Sequence, residues 1–178
     1  KPGARLSALL EEYGVQEGWD GDRYLAISRD LMHSLQTSAE DVLRIAWSAL
    51  DRVVVREDLN NWGVPSDYHA LLASTWERYA PSLLCRVNFT LDAAGTPRCI
   101  SVDADRYEGF FQASLAQACW YDELRSSEAV GQLNWLGHAV SSRLLMMRVQ
   151  GLAHIGVSSW DASADETAFV KALASILS

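Results

Sequence analysis

With 178 residues, 49% hydrophobic content and a formal net charge of −8, the chain has the make-up of one globular domain with room for a real core. That acidity, with a pI near 4.9, argues against a general nucleic-acid binder, because phosphate contacts need lysine and arginine. No apolar run reaches the roughly 18 residues of a membrane span, and no signal-peptide pattern is visible. The chain opens at Lys1 rather than at methionine, so a product trimmed, processed or cut from something longer is expected.

In chain order, Leu6–Tyr13 reads as a short helix that Gly14 stops, and Trp19 follows in a loop that packs on the body. Asp22–Leu35 reads as a helix with Tyr24, Ile27, Leu31 and Leu35 on one face. A Ser38-x-x-Asp41 capping box then opens a second helix, with Val42, Ile45, Ala46, Ala49, Leu50 and Val53 as its stripe. Asn60–Pro65 is a break, and Ser66 caps a helix through Tyr79 with Tyr68, Leu71, Leu72 and Trp76 inward. Pro81 ends that segment. Past the centre of the chain, Phe110–Leu124 reads as helix, and Ser127 opens another toward Met147. Within it, Gly131 and Gly137 cost up to about 1 kcal/mol each or admit a close neighbour. Leu152–Ser158 reads as a strand, and a Ser163/Glu166 capping box opens a helix through Leu177.

The centre itself alternates. Leu83, Cys85, Val87, Phe89 and Leu91 are interleaved with Leu84, Arg86, Asn88, Thr90 and Asp92, the period of a half-buried strand. Ile100, Val102 and Ala104 likewise alternate with Cys99, Ser101, Asp103 and Asp105. Asp92–Pro97 is turn chemistry, with Gly95 free to take positive φ. The expectation is an antiparallel hairpin with Arg86 opposite Asp103 and Asn88 opposite Ser101, all four on its polar face. The fold class is therefore α/β with α+β character. It has a helical N-terminal half, a central hairpin and a terminal strand–helix half of a Rossmann-like unit.

Ser74-Thr-Trp76, Pro81-Ser-Leu83, Arg86-Val-Asn88, Asp92-Ala-Ala-Gly95, Ser101-Val-Asp-Ala-Asp105 and Gln117-Ala-Cys-Trp120 fall in a recognisable order. That order resembles the synthetase part of the glutathionylspermidine synthase family, which are ATP-grasp-like carbon–nitrogen ligases. The likeness runs from about Glu11 to the chain end, as a single domain over 1–178 similar to the family's pre-ATP-grasp portion. It implies ATP and Mg²⁺ as cofactors of the family, and Arg86 as the residue that meets the reacting phosphoryl and acyl groups. It implies metal-ligand positions at Asn88, Ser101 and Asp103, where the family carries Asp, Glu and Asn. The ligand charge there falls from about −2 to −1, which weakens a hard-cation site. The hydroxyl-rich run that the family places after Ala104-Asp105 is replaced by Arg106-Tyr-Glu-Gly109. The family's nucleotide-clamping lysines lie beyond the matched region, so no cofactor is expected on this chain alone.

Other groups point elsewhere. His33, His69, His138 and His154 are scattered without an i, i+4 pair, which argues against a metal cluster. The seven tryptophans lie mostly on apolar stripes and read as core. No Gly-rich phosphate loop is present. Cys85, Cys99 and Cys119 lack paired spacing and read as buried, reduced thiols in a reducing cytoplasm.

The functional expectation is a truncated or divergent ligase-family member, inactive alone, with Arg86, Asn88, Ser101, Asp103 and Asp105 as a substrate or anion face. The alternative is a non-catalytic binding or structural subunit that docks into a larger assembly. The free edge of the Leu152–Ser158 strand is expected to be covered by further chain or by another subunit.

Overall fold

The computed structural model describes residues 3–15, 19, 23–56, 58–78, 83–104, 108–124, 135–149 and 163–177. Its helices are α1 (Ala4–Tyr13), α2 (Arg29–Val55), α3 (His69–Arg78), α4 (Gln117–Leu124), α5 (Leu136–Val149) and α6 (Ala164–Leu177). A two-stranded antiparallel sheet, β1 (Arg86–Leu91) and β2 (Pro97–Asp103), sits between α3 and α4 in the chain. The described residues are thus mostly helical with one small sheet, an α+β architecture. The predicted strand at 152–158 and the helix start at Ser127 lie outside the described residues.

The chain divides into two compact units, residues 1–25 with 107–178, and residues 26–106. In the first, α1 packs on α4 and α6, and α5 packs on α6. Leu6, Phe111, Ala116, Ala168 and Ala172 are essentially sealed from solvent. The alanines let helix backbones approach, while Tyr13 stacks on Phe111 with ring centroids 4.4 Å apart. Phe110 meets Phe169 edge-on at 5.3 Å. No side chain of Gly3 can cap α1, so Glu123 of α4 does so from a distance. Its Oε1 accepts the Arg5 and Leu6 amides at 2.8 and 3.3 Å. Gly14, at φ 71°, ends α1 as expected. The Ser163 box also forms, with the Glu166 amide donating to Ser163 Oγ at 3.3 Å. Ahead of α4 the helix loosens into a π turn over Gln112–Ala116, where the Ser114 hydroxyl donates to the Phe110 carbonyl at 2.6 Å.

The second unit departs more from expectation. The two helices predicted across 22–53 are one 27-residue helix, α2, which starts only at Arg29, so that residues 23–28, with Tyr24 and Ile27 of the predicted face, lie ahead of it outside any helix. Nothing between Leu35 and Ser38 breaks a helix, so the Ser38 box is read through. The true cap is Ser28, whose Oγ accepts the Leu31 amide at 3.1 Å. Residues 66–68 form a 3₁₀ turn, and α3 starts only at His69. Tyr68, Leu71 and Leu72 are exposed rather than inward. Ile45 and Ala49 of α2 also face out, as do Trp62 in this unit and Trp135 in the other. What does pack is Trp47 against Trp76, with Trp76 Nε1 donating to Asp51 Oδ1 at 2.9 Å. The His69 Nε2–H holds the Val64 carbonyl at 2.9 Å. Helix α2 lies against β2 and α3, and this fixes the hairpin on a long rod.

Two outcomes follow. Ser28→Ala should cost about 1 kcal/mol in denaturant unfolding, while Ser38→Ala should leave stability nearly unchanged. At Gly137 an added Cβ would meet Ile176 Cδ1 at 3.8 Å and Ser114 Cβ at 3.9 Å, ordinary contacts. Gly137→Ala should therefore stabilise the fold by up to about 1 kcal/mol, read as a rise in Tm.

Candidate functional site

The polar face of the hairpin is built by pairing. The register sets Arg86 opposite Asp103 and Asn88 opposite Ser101, as alternation predicts. Between Asn88 and Phe89 the register shifts, because Phe89 faces Cys99 and Ile100 is left without a partner. This is a β-bulge on β2. It overturns the strict alternation assumed for 99–105. Cys99 is transferred to the side of Val87 and Phe89, Arg98 comes opposite Thr90, and Ile100 is 67% exposed instead of buried. Cys99 is also exposed and Cys85 half-buried, so of the three cysteines only Cys119 is buried. All three are free thiols. Burial raises the Cys119 thiol above its ordinary range.

Within the site, one oxygen collects the donors. Asp103 Oδ2 lies 3.0 Å from Asn88 Nδ2, 3.3 Å from Ser101 Oγ and 3.6 Å from an Arg86 guanidinium nitrogen. Asn88 Nδ2 also reaches Ser101 Oγ at 2.7 Å. The amide orientation is fixed by chemistry. An ionised carboxylate only accepts, so the nitrogen of Asn88 must face Asp103. Four of the five residues singled out from the sequence are therefore brought together. The fifth, Asp105, lies outside the described residues. The Arg86 side chain is 40% exposed and that of Asp103 27%, so the charge pair is partly shielded from water.

That donor set does not fit Mg²⁺. The ion wants several oxygens at about 2.1 Å in octahedral array. Here an amide N–H₂ points into the space between a hydroxyl and a carboxylate, and its hydrogens repel a cation. Among the described residues, no group of three or more His, Cys, Asp or Glu side chains is placed to hold a metal ion.

Arg98 is the residue that sequence reasoning missed. Its Nε donates to Asp92 Oδ2 at 3.0 Å, and its guanidinium closes an ion pair at 2.9 Å. Asp92 Oδ1 accepts the amides of Ala94 and Thr96, which locks the turn. The only hint in the sequence was a carboxylate and a guanidinium six residues apart across a turn. The Thr96 amide foremost, then the Arg98 guanidinium, hold the Asp92 carboxyl below its usual range against an opposing cost of desolvation.

A depressed folded pKa means that this stabilisation is in place above the unfolded value of 3.8 and is lost as pH falls through the lower folded value. In urea titrations from neutral pH downward, the gap in midpoint between the wild type and Asp92→Asn should be widest above that value. It should shrink as the solution is acidified past it.

Comparison with known proteins adds one match. The family model described as glutathionylspermidine synthase preATP-grasp covers residues 9–177. Neither a curated protein nor a solved structure matches. The match spans nearly the whole chain, on the same stretch whose hairpin, turn and helix carry the motif order, and the chain belongs to the glutathionylspermidine synthase pre-ATP-grasp family.

Proposed function

We infer that this chain is a divergent pre-ATP-grasp member that has kept the ligase-family hairpin and exchanged its cation-holding role for an internal hydrogen-bond network. By itself it does not carry out ATP-dependent carbon–nitrogen ligation. The observation that supports this reading is the position of Asn88 Nδ2, within hydrogen-bond distance of both Ser101 Oγ and Asp103 Oδ2. An ATP-dependent ligase needs its phosphates neutralised by metal while an acyl phosphate forms. A face whose carboxylate is already occupied by an amide, a hydroxyl and a guanidinium offers weak competition for that metal. Arg86, Asn88, Ser101 and Asp103 then serve as a structural cluster that meets at most a small polar or anionic group.

A second reading, a docking subunit of a larger assembly, is favoured by the apolar surface of the second unit. Trp62, Leu71, Ile100 and Val55 are each more than three-fifths exposed. In this reading the partner is protein. The acidic balance argues against nucleic acid, and among the described residues no helix is long and apolar enough to cross a membrane. The free thiols fit a reducing cytoplasm.

Calorimetric titration with Mg²⁺ and Mn²⁺ tests the first reading. The wild type should show no saturable heat at sub-millimolar metal. The double variant Asn88→Asp, Ser101→Glu, which supplies three clustered carboxylates with Asp103, should gain binding by at least about tenfold because affinity follows ligand charge. Saturable binding by the wild type, lost in Asp103→Ala, overturns it.

A further inference from the structure

The turn hydrogen bond Asp92 N–H to the Thr96 carbonyl, 3.0 Å, fixes the parity of β1. In an antiparallel pair, inward- and outward-facing backbone groups alternate along each strand. The extra residue of the bulge is on β2, so the alternation along β1 is unbroken. Arg86, Asn88 and Thr90 therefore bond toward β2. Val87, Phe89 and Leu91 send their N–H and C=O groups to the outer edge. Among the described residues no strand pairs with that edge, and β1 carries neither the lysine nor the proline that commonly protects an edge strand. A two-stranded sheet is also marginal by itself.

We propose that β1 is a self-association edge, pairing antiparallel with β1 of a second copy about a two-fold axis at Phe89. In this register Phe89 faces Phe89, Val87 faces Leu91, Asn88 faces Thr90 and Arg86 faces Asp92 of the second copy. All three outward residues exchange N–H···O bonds. Apolar side chains meet on one face, amide meets hydroxyl on the other, and each end of the pairing joins a cation to a carboxylate. The neighbouring symmetric register, centred on Asn88, sets Arg86 against Thr90 and loses that charge match. Two-fold pairing is the commonest closed symmetry, and here it converts two hairpins into one four-stranded sheet with β2 on each side.

The test uses the whole chain. Sedimentation over a range of concentrations should show the mass rising from 19.7 kDa toward its double. Over the same range, residue-resolved hydrogen exchange should slow at the amides of Val87, Phe89 and Leu91 by at least about tenfold, while those of Asn88 and Thr90 change little. Leu91→Pro removes an amide that the hairpin ladder does not use and should weaken the dimer at least about tenfold. Leu91→Lys, which keeps the amide but charges the edge, should do the same and stands in if the proline variant fails to fold. A monomer at every concentration overturns the proposal. So does a dimer that neither variant weakens, or protection of these three amides that does not change on dilution.

Discussion

Asp103 Oδ2 is the point on which the polar face of the hairpin depends. Three donors from two strands converge on it, and each comes from a residue whose position is set by cross-strand pairing rather than by its own loop. A charge half-removed from water needs such partners, and supplying them restricts the rotamers of Arg86, Asn88 and Ser101 together. The same geometry that satisfies the carboxylate also turns the amide nitrogen of Asn88 inward. Satisfying the carboxylate and filling its surroundings with donors are thus one arrangement seen from two sides.

The two units reach order by different routes. Residues 1–25 with 107–178 do so through burial, with small residues at helix contacts and stacked aromatic rings among buried side chains. In residues 26–106, only Leu59 is buried among the described hydrophobic residues, and order comes from directional bonds. Those are the Ser28 cap, the Trp76–Asp51 and His69–Val64 bonds, and the Asp92 turn. A hairpin carried on such a scaffold is held by geometry more than by volume, and its surface retains apolar side chains that a burial-driven unit would have enclosed.

Pairings set by period and turn chemistry were legible in the sequence. Arg86–Asp103 and Asn88–Ser101 followed from alternation on either side of Gly95. The Gly14 stop and the Ser163 cap followed from residue type. What could not be read were features that change the count of residues. The unpaired Ile100 moves Arg98 and Cys99 to opposite faces without altering composition. The 3₁₀ turn at 66–68 likewise shifts Tyr68 out of phase with the helix that follows. Ser38 looked like a helix start because a capping box is only a local preference. The 27 residues of α2 show the competing preference to continue, with one cap already made at Ser28. The polar network itself was half legible, since the sequence placed the four groups on one face but not the direction of the Asn88 amide.

The carboxylate of Glu123 lies 118 residues along the chain from the Arg5 amide it caps. An ordinary helix start completes itself from within its own first turn. Helix α1 must instead wait for a distant segment to arrive, with the loop-closure entropy that this entails. Contacts of such sequence separation slow folding. During synthesis, the Leu6 and Leu10 face of α1 would be made long before its covering helices, so the nascent chain carries an exposed apolar helix while residues 26–106 emerge. The order of synthesis and the order of assembly are thereby separated. A helix made before residues 26–106 is thus among the last elements whose backbone is satisfied.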